Sequence, residues 1–184
     1  MTIEYYNPTP IYYSDLPTSE FEIIKKEVSA NITEDMYNEE QWNDYVQTTG
    51  KLTDNIFNIL DLPNLESMVN NHAKKFLKGI GQSKKFYVYN SWFNRLPKYG
   101  HQGTHTHHDY DVTCFSGIYY YQETNSKMKP VTFFVKNDML EQRVSYEYKA
   151  GRIIIFSSRL PHRVSFNKND EMRTSFAFNF KTVD

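Results

Sequence analysis

The hydrophobic pattern of the chain changes period near residue 85. Upstream, Phe21, Ile24 and Val28 recur at helical spacing, and Ser19-Glu20-Phe21-Glu22 reads as a capping box. Leu65, Met68, Val69, His72, Ala73, Phe76, Leu77 and Ile80 then repeat every three and four residues, predicting an amphipathic helix that Gly79 and Gly81 end. His72 sits inside that stripe and reads as a packed helix residue. From Phe86 onward the apolar runs shorten to strand length: FYVYNSWF, VTCFSGIYYY, VTFFV, RVSYEY, RIIIF, HRVSF and RTSFAFNF. These predict antiparallel β-structure, either a sandwich or a rolled barrel, with ETNSKMKP (123–130) and NKNDE (167–171) as hairpin loops. Helices and strands are segregated, so the fold class is α+β: residues 1–85 form a mainly helical support packed outside the sheet, and 86–181 form the β-core.

Composition narrows this further. The chain has 184 residues, enough for one buried core, and no internal repeat or linker divides it, so a single domain spanning 1–184 is expected. Aromatics make up 16%, with 15 Tyr and 13 Phe, which suits half-covered pleated surfaces. A formal net charge of −1 gives no broad electrostatic footprint for nucleic acid or anionic lipid, and Lys84–Lys85 reads as a solvated turn. No window approaches the roughly 20 apolar residues of a membrane span and the N-terminus lacks a secretion signal, so a soluble cytoplasmic protein is expected. Cys114 is the only cysteine, which excludes an intrachain disulfide; within VTCFSG it reads as a buried, inert thiol.

The candidate chemistry is concentrated in one place. Four of the six histidines, His101, His105, His107 and His108, lie within eight residues, followed by Asp109 and Asp111. Residues i and i+2 of a strand project to one face, so His105 with His107, or His107 with Asp109, would present two ligands side by side. His162, where the strand RIIIF runs into a Pro161 turn, is the one histidine downstream of the cluster. Two imidazoles and a carboxylate form the facial triad suited to non-haem Fe(II), and His107, Asp109 and His162 fit it best. Arg173 and Ser175 share a strand face further on; a guanidinium gripping a carboxylate through two parallel hydrogen bonds, with a hydroxyl adding a third, makes a socket for a dicarboxylate.

These elements, in this order, resemble the double-stranded β-helix of the Fe(II)- and 2-oxoglutarate-dependent oxygenases. The resemblance is to the prolyl-hydroxylase-like branch and to small oxygenase-like proteins encoded by marine bacteriophages, which would place the chain in a host cytoplasm. It rests on HHD (107–109) at the second core strand, Ile118-Tyr119-Tyr120-Tyr121, the strand 152–156 running into Pro161-His162-Arg163-Val164, and Arg173 on the last strand. It implies that His107, Asp109 and His162 bind Fe(II), and that Arg173 and Ser175 bind the distal carboxylate of 2-oxoglutarate with the Tyr120 hydroxyl assisting. Dioxygen and a small-molecule or peptide substrate, peptidyl proline among the candidates, would complete the reaction. A rival ligand set stays open: His105-x-His107 followed by Asp111 and Gly117 approximates the first motif of cupins, metal-dependent enzymes that share the rolled architecture and need no 2-oxoglutarate. A non-catalytic β-sandwich binding module is the third class. The oligomeric state is not legible.

Overall fold

A computed structural model describes residues 2–6, 9–39, 46–107, 114–123, 128–136 and 140–183. Its helices are α1 (Thr18–Asn31) and α2 (Pro63–Gly79). The early strands are β1 (Thr2–Tyr6), β2 (Thr9–Asp15), β3 (Asn38–Glu39) and β4 (Gln47–Thr48). Eight more follow: β5 (Lys85–Leu96), β6 (Gln102–His105), β7 (Cys114–Tyr119), β8 (Val131–Lys136), β9 (Glu141–Tyr146), β10 (Arg152–Ser157), β11 (His162–Val164) and β12 (Arg173–Val183). Among the described residues these form a larger sheet in the order β1-β2-β10-β7-β12-β5-β4-β3 and a smaller one in the order β6-β11-β8-β9.

From β5 to β12 the chain passes repeatedly between the two sheets, which rolls them into a double-stranded β-helix. That topology corrects the hairpin reading of two loops. Among the described strands, β7 of the larger sheet is followed by β8 of the smaller and β11 of the smaller by β12 of the larger, so neither 123–130, of which 124–127 lie outside the described residues, nor 167–171 joins paired strands. Turn-rich composition marks a change of direction, not which strand is met next. Among the described residues of 86–181, β8 and β9 are the consecutive strands that pair.

The N-terminal region also departs from the expectation of helix and loop. Strand β2 docks on β10, with Tyr12 opposite Ile155 and Ile11 opposite Phe156, and β1 pairs outside it. Ile11 and Tyr12 are both fully buried because successive side chains enter cores on opposite faces of the sheet. The same holds for β10: Ile153 and Ile155 pack under the helices with Tyr12, Phe76 and Phe93, whereas Ile154 and Phe156 join Ile11, Val131 and Phe133 between the sheets. A strand buried on both faces reads as an unbroken apolar run, which is what RIIIF is.

Helix α2 buries Leu65, Met68, Val69, His72, Ala73, Phe76 and Leu77, the expected stripe. It ends in a Schellman arrangement, with Gly81 at φ 76° and the amides of Gly81 and Gln82 bonded to the carbonyls of Lys78 and Leu77. His72 is buried as expected, its Nδ1 hydrogen-bonded to the Tyr12 hydroxyl at 2.5 Å. The capping box before α1 does not form: the helix starts at Thr18 without a side-chain cap, and Phe21 N–H bonds instead to the Pro17 carbonyl. No helix among the described residues is long and apolar enough to cross a membrane.

The feature that most affects the site is a register shift in the β5–β12 pair, where Asn179 faces Asn90 but Phe180 faces Val88. A bulge adds one residue to a strand and reverses its facing. Below it, Phe86 and Val88 pack against the helix-side core; above it, Trp92, Asn94 and Leu96 line a cavity between the sheets. Residues of equal parity in FYVYNSWFNRL thus serve core and cavity in turn.

Candidate active site

The cavity lies between the sheets, walled by β5 and β12 on one side and by β6, β8 and β11 on the other. Strand β11 brings His162 directly opposite His105 of β6. His107 follows two residues after His105, and its amide is held by the Ser158 carbonyl at 2.8 Å. One ring nitrogen from each of His105, His107 and His162 lies within 4.8 Å of the others. The His105 and His107 Nε2 atoms are 3.1 Å apart, and the His107 and His162 rings stack with centroids 5.1 Å apart.

Backbone carbonyls set two of these rings. His105 Nδ1 lies 2.8 Å from Gly103 O and His162 Nδ1 lies 2.9 Å from Leu160 O, each within two residues of its own chain. Such a bond makes Nδ1 the protonated nitrogen and leaves the Nε2 lone pair toward the cavity, the tautomer a metal ion requires. Burial, reinforced by the neighbouring His105, pushes the His107 imidazole down to about 4. His162 falls to about 3, by burial first and then through His105 and His107. Both are therefore neutral near pH 7, as ligation demands. Three imidazoles converging on one cavity fit a divalent transition metal by donor type and spacing.

Of the residues expected from the sequence, His107 and His162 are brought together, and His105 joins them. Asp109 lies outside the described residues, as do His108, Tyr110 and Asp111. Arg173, Ser175 and Tyr120 line the same cavity as the three histidines. Arg173 is 5% exposed, and one guanidinium nitrogen donates to Ser165 O at 2.7 Å while another contacts Met128 Sδ at 3.2 Å. Among the described residues no carboxylate pairs with it. Burial pushes its pKa down, opposed by the nearby Tyr120 and Tyr148 hydroxyls. Tyr120 is itself fully enclosed; burial pushes its phenol up, so it stays a protonated donor, with its ring 4.5 Å from that of Tyr148. Cys114 is buried and unpaired, in keeping with an inert thiol.

A second, open cleft of about 370 Å³ shares His105, His107, Trp92 and Gln102 with this cavity but not Arg173 or Tyr120. Lys51, Thr53, Asp54 and Asn90 give it a polar lining, and the Trp92 ring lies 5.9 Å from that of His107. The histidines thus stand between an enclosed chamber with a cation and an open polar mouth. Asn94 was not predicted as a site residue, because the bulge that turns it into the cavity leaves no mark in the alternation of the strand.

The fold around this cavity has counterparts among solved structures. Over 95% of this chain and 92% of the other, it superimposes on a Pseudomonas putida prolyl-4-hydroxylase with a TM-score of 0.66 at 16% identity. The fold is that of the 2-oxoglutarate-dependent oxygenases. HygX from Streptomyces hygroscopicus, solved with nickel, 2-oxoglutarate and hygromycin B bound, matches with a TM-score of 0.65 at 10% identity, covering 95% of this chain and 83% of its own. A 2OG-Fe(II) oxygenase family oxidoreductase from Burkholderia pseudomallei gives 0.62 at 17% identity, over 92% and 84%. In sequence, residues 90–179 match the family described as "Putative 2OG-Fe(II) oxygenase". No curated protein sequence matches the chain. The matched segment runs from the start of the cavity-facing half of β5 to Asn179 at the bulge, and so contains every cavity residue named above.

Proposed function

We propose that the protein is an Fe(II)- and 2-oxoglutarate-dependent dioxygenase acting as a hydroxylase. The observation that carries this reading is Arg173, a buried cation without a carboxylate partner among the described residues, in the same cavity as three convergent imidazoles. A charge removed from water is retained at a large penalty unless something of opposite sign meets it. A diacid that reaches from the histidines to Arg173 supplies that charge.

His107 and His162 hold the metal in this reading. The third ligand in this reading is His105, supported by a ring nitrogen within 4.8 Å of theirs, and Asp109, the choice made from the sequence, is the alternative. When bound, Fe(II) couples dioxygen reduction to oxidative decarboxylation of 2-oxoglutarate to succinate and to oxidation of a substrate C–H bond. The chain's own groups bind and orient. The Arg173 guanidinium takes the distal carboxylate through parallel hydrogen bonds, and the Ser175 and Tyr120 hydroxyls donate to the same group. Leu96, Val131, Phe156 and Val164 line the chamber with apolar surface and keep bulk water from it. The primary substrate enters through the polar cleft at the other side of the histidines. Peptidyl proline is the substrate to try first, given the likeness to the Pseudomonas putida enzyme.

Anaerobic addition of Fe(II) and then 2-oxoglutarate tests this reading. A visible charge-transfer band is expected in the native chain and none in His107→Ala or His162→Ala; a native chain without the band would refute it. The same titration assigns the third ligand: His105→Ala should weaken Fe(II) binding about 100-fold while Asp109→Ala retains it, and the reverse result gives the position to Asp109. A cupin-like metal enzyme is favoured by one observation, the all-histidine cluster. It predicts metal uptake with no response to 2-oxoglutarate.

A further inference from the structure

Asn94 has the properties of a residue built for a ligand. Its position in β5 places it between Trp92 and Leu96 on the cavity face, directly opposite Ser175 of β12. It is 6% exposed, and its side-chain oxygen is sealed from solvent with no hydrogen-bond partner. The polar groups deeper in the same wall are satisfied: Ser116 bonds to Ser158 and to Asn179, and Asn179 bonds to Asn90. Among the described residues, Asn94 alone on that wall keeps a buried amide oxygen without a donor. A buried amide oxygen left unpaired is destabilising, and a leucine, which has the same branched skeleton without polar atoms, would avoid that penalty.

Resting on the functional reading above, we propose that Asn94 is a binding residue for the diacid, acting together with Ser175 and Arg173. Ser175 and Arg173 follow one another on the cavity face of β12, and Asn94 faces Ser175 across the strand pair, so the three line one wall. 2-Oxoglutarate is fully ionised near neutral pH and offers acceptors only. The oxygen and nitrogen of an amide exchange places on a half-turn of the last torsion, so Asn94 meets the diacid with its NH2. The diacid supplies the acceptor for that NH2, and the half-turn moves the unpaired oxygen out of the position it holds in the free chain.

The test compares 2-oxoglutarate affinity, read from the charge-transfer band under anaerobic Fe(II), with urea unfolding of the ligand-free chain. Asn94→Asp keeps the shape but presents a negative, acceptor-only group, and should weaken 2-oxoglutarate at least tenfold with Fe(II) affinity unchanged. Asn94→Leu should also weaken it at least tenfold, while the ligand-free protein unfolds at an equal or higher urea concentration. A merely structural asparagine would behave in the opposite way, losing stability with affinity intact. Native-like affinity, within twofold, in both folded variants would overturn the assignment. If the native chain itself bound no 2-oxoglutarate, the functional reading would fall and this one with it, a result separate from native binding with unaltered variants.

Discussion

Arg173 is a charged side chain that the fold encloses before any anion arrives, held by one carbonyl and a thioether. Replacing it with leucine should weaken 2-oxoglutarate by about 100-fold or more, the loss of a charge-assisted bidentate contact, in a titration followed by the visible band. The same variant should be no less stable than the native chain without ligand, because an unpaired buried charge is removed. His72 makes a separate claim at this scale. Burial holds it down to about 4, against roughly 6.5 in an unfolded chain. A depressed histidine gives stability that is complete above pH 6.5 and is lost as pH falls toward 4, a change on the order of 3 kcal/mol. Urea midpoints should therefore drop over that window, and the drop should be shallower in His72→Leu; an identical slope would exonerate the residue. His107, His162 and Arg173 were legible in the sequence because each carries a chemistry rare at such spacing. Asn94 was not, since an asparagine in an aromatic strand looks the same whether it meets solvent, a loop or a ligand.

At the scale of elements, α2 depends on a cap supplied from another helix. Its own N-cap position is Leu62, which has no side-chain acceptor, and the Glu27 carboxylate of α1 takes the amides of Asn64 and Leu65 at 2.9 Å and Asn64 Nδ2 at 2.7 Å. Glu27→Ala should lower stability by about 1–2 kcal/mol in chemical denaturation, the range for losing a helix cap with its favourable dipole contact. A residue 36 positions before the helix start cannot be recognised as its cap from sequence, whereas the stripe of α2 and its glycine stop could. The strands divide in the same way. Those with strong apolar runs were visible, while β6, whose Gln102-Gly103-Thr104-His105 has no apolar residue, was not, although it carries part of the histidine cluster. Gly117 of β7 shows how local identity serves packing between strands: a Cβ there would collide with the Phe178 ring of β12. Gly117→Ala should destabilise by about 1–3 kcal/mol, the usual range for overpacking, measurable in the same denaturation series.

For the whole molecule, the sequence indicated rolled antiparallel strands with helices outside but not the path between sheets, because loop composition is blind to long-range partners. The resulting architecture gathers residues from positions 92 to 179 around one chamber. Ligands that bind only this assembled form should stabilise it globally: at 100 times its dissociation constant, 2-oxoglutarate added to the Fe(II) form should contribute about 2.7 kcal/mol. A calorimetric rise in the unfolding temperature that grows with concentration would display it, and succinate, a weaker spanning diacid without the keto oxygen, should give less.

Strand β6 is only four residues long, and among the described residues it forms the outer margin of the smaller sheet, paired to β11 at His105 and Gln102 across an irregular register. So short a margin has little to keep it from fraying. An ion gripped by His105 on β6 and His162 on β11 would act there as a clasp, closing the seam that its own site is made from. Chelation would then do more than empty the site: it would bare the backbone of β11, a template to which strands of other chains can add, so metal starvation would be felt by this protein as a tendency to aggregate.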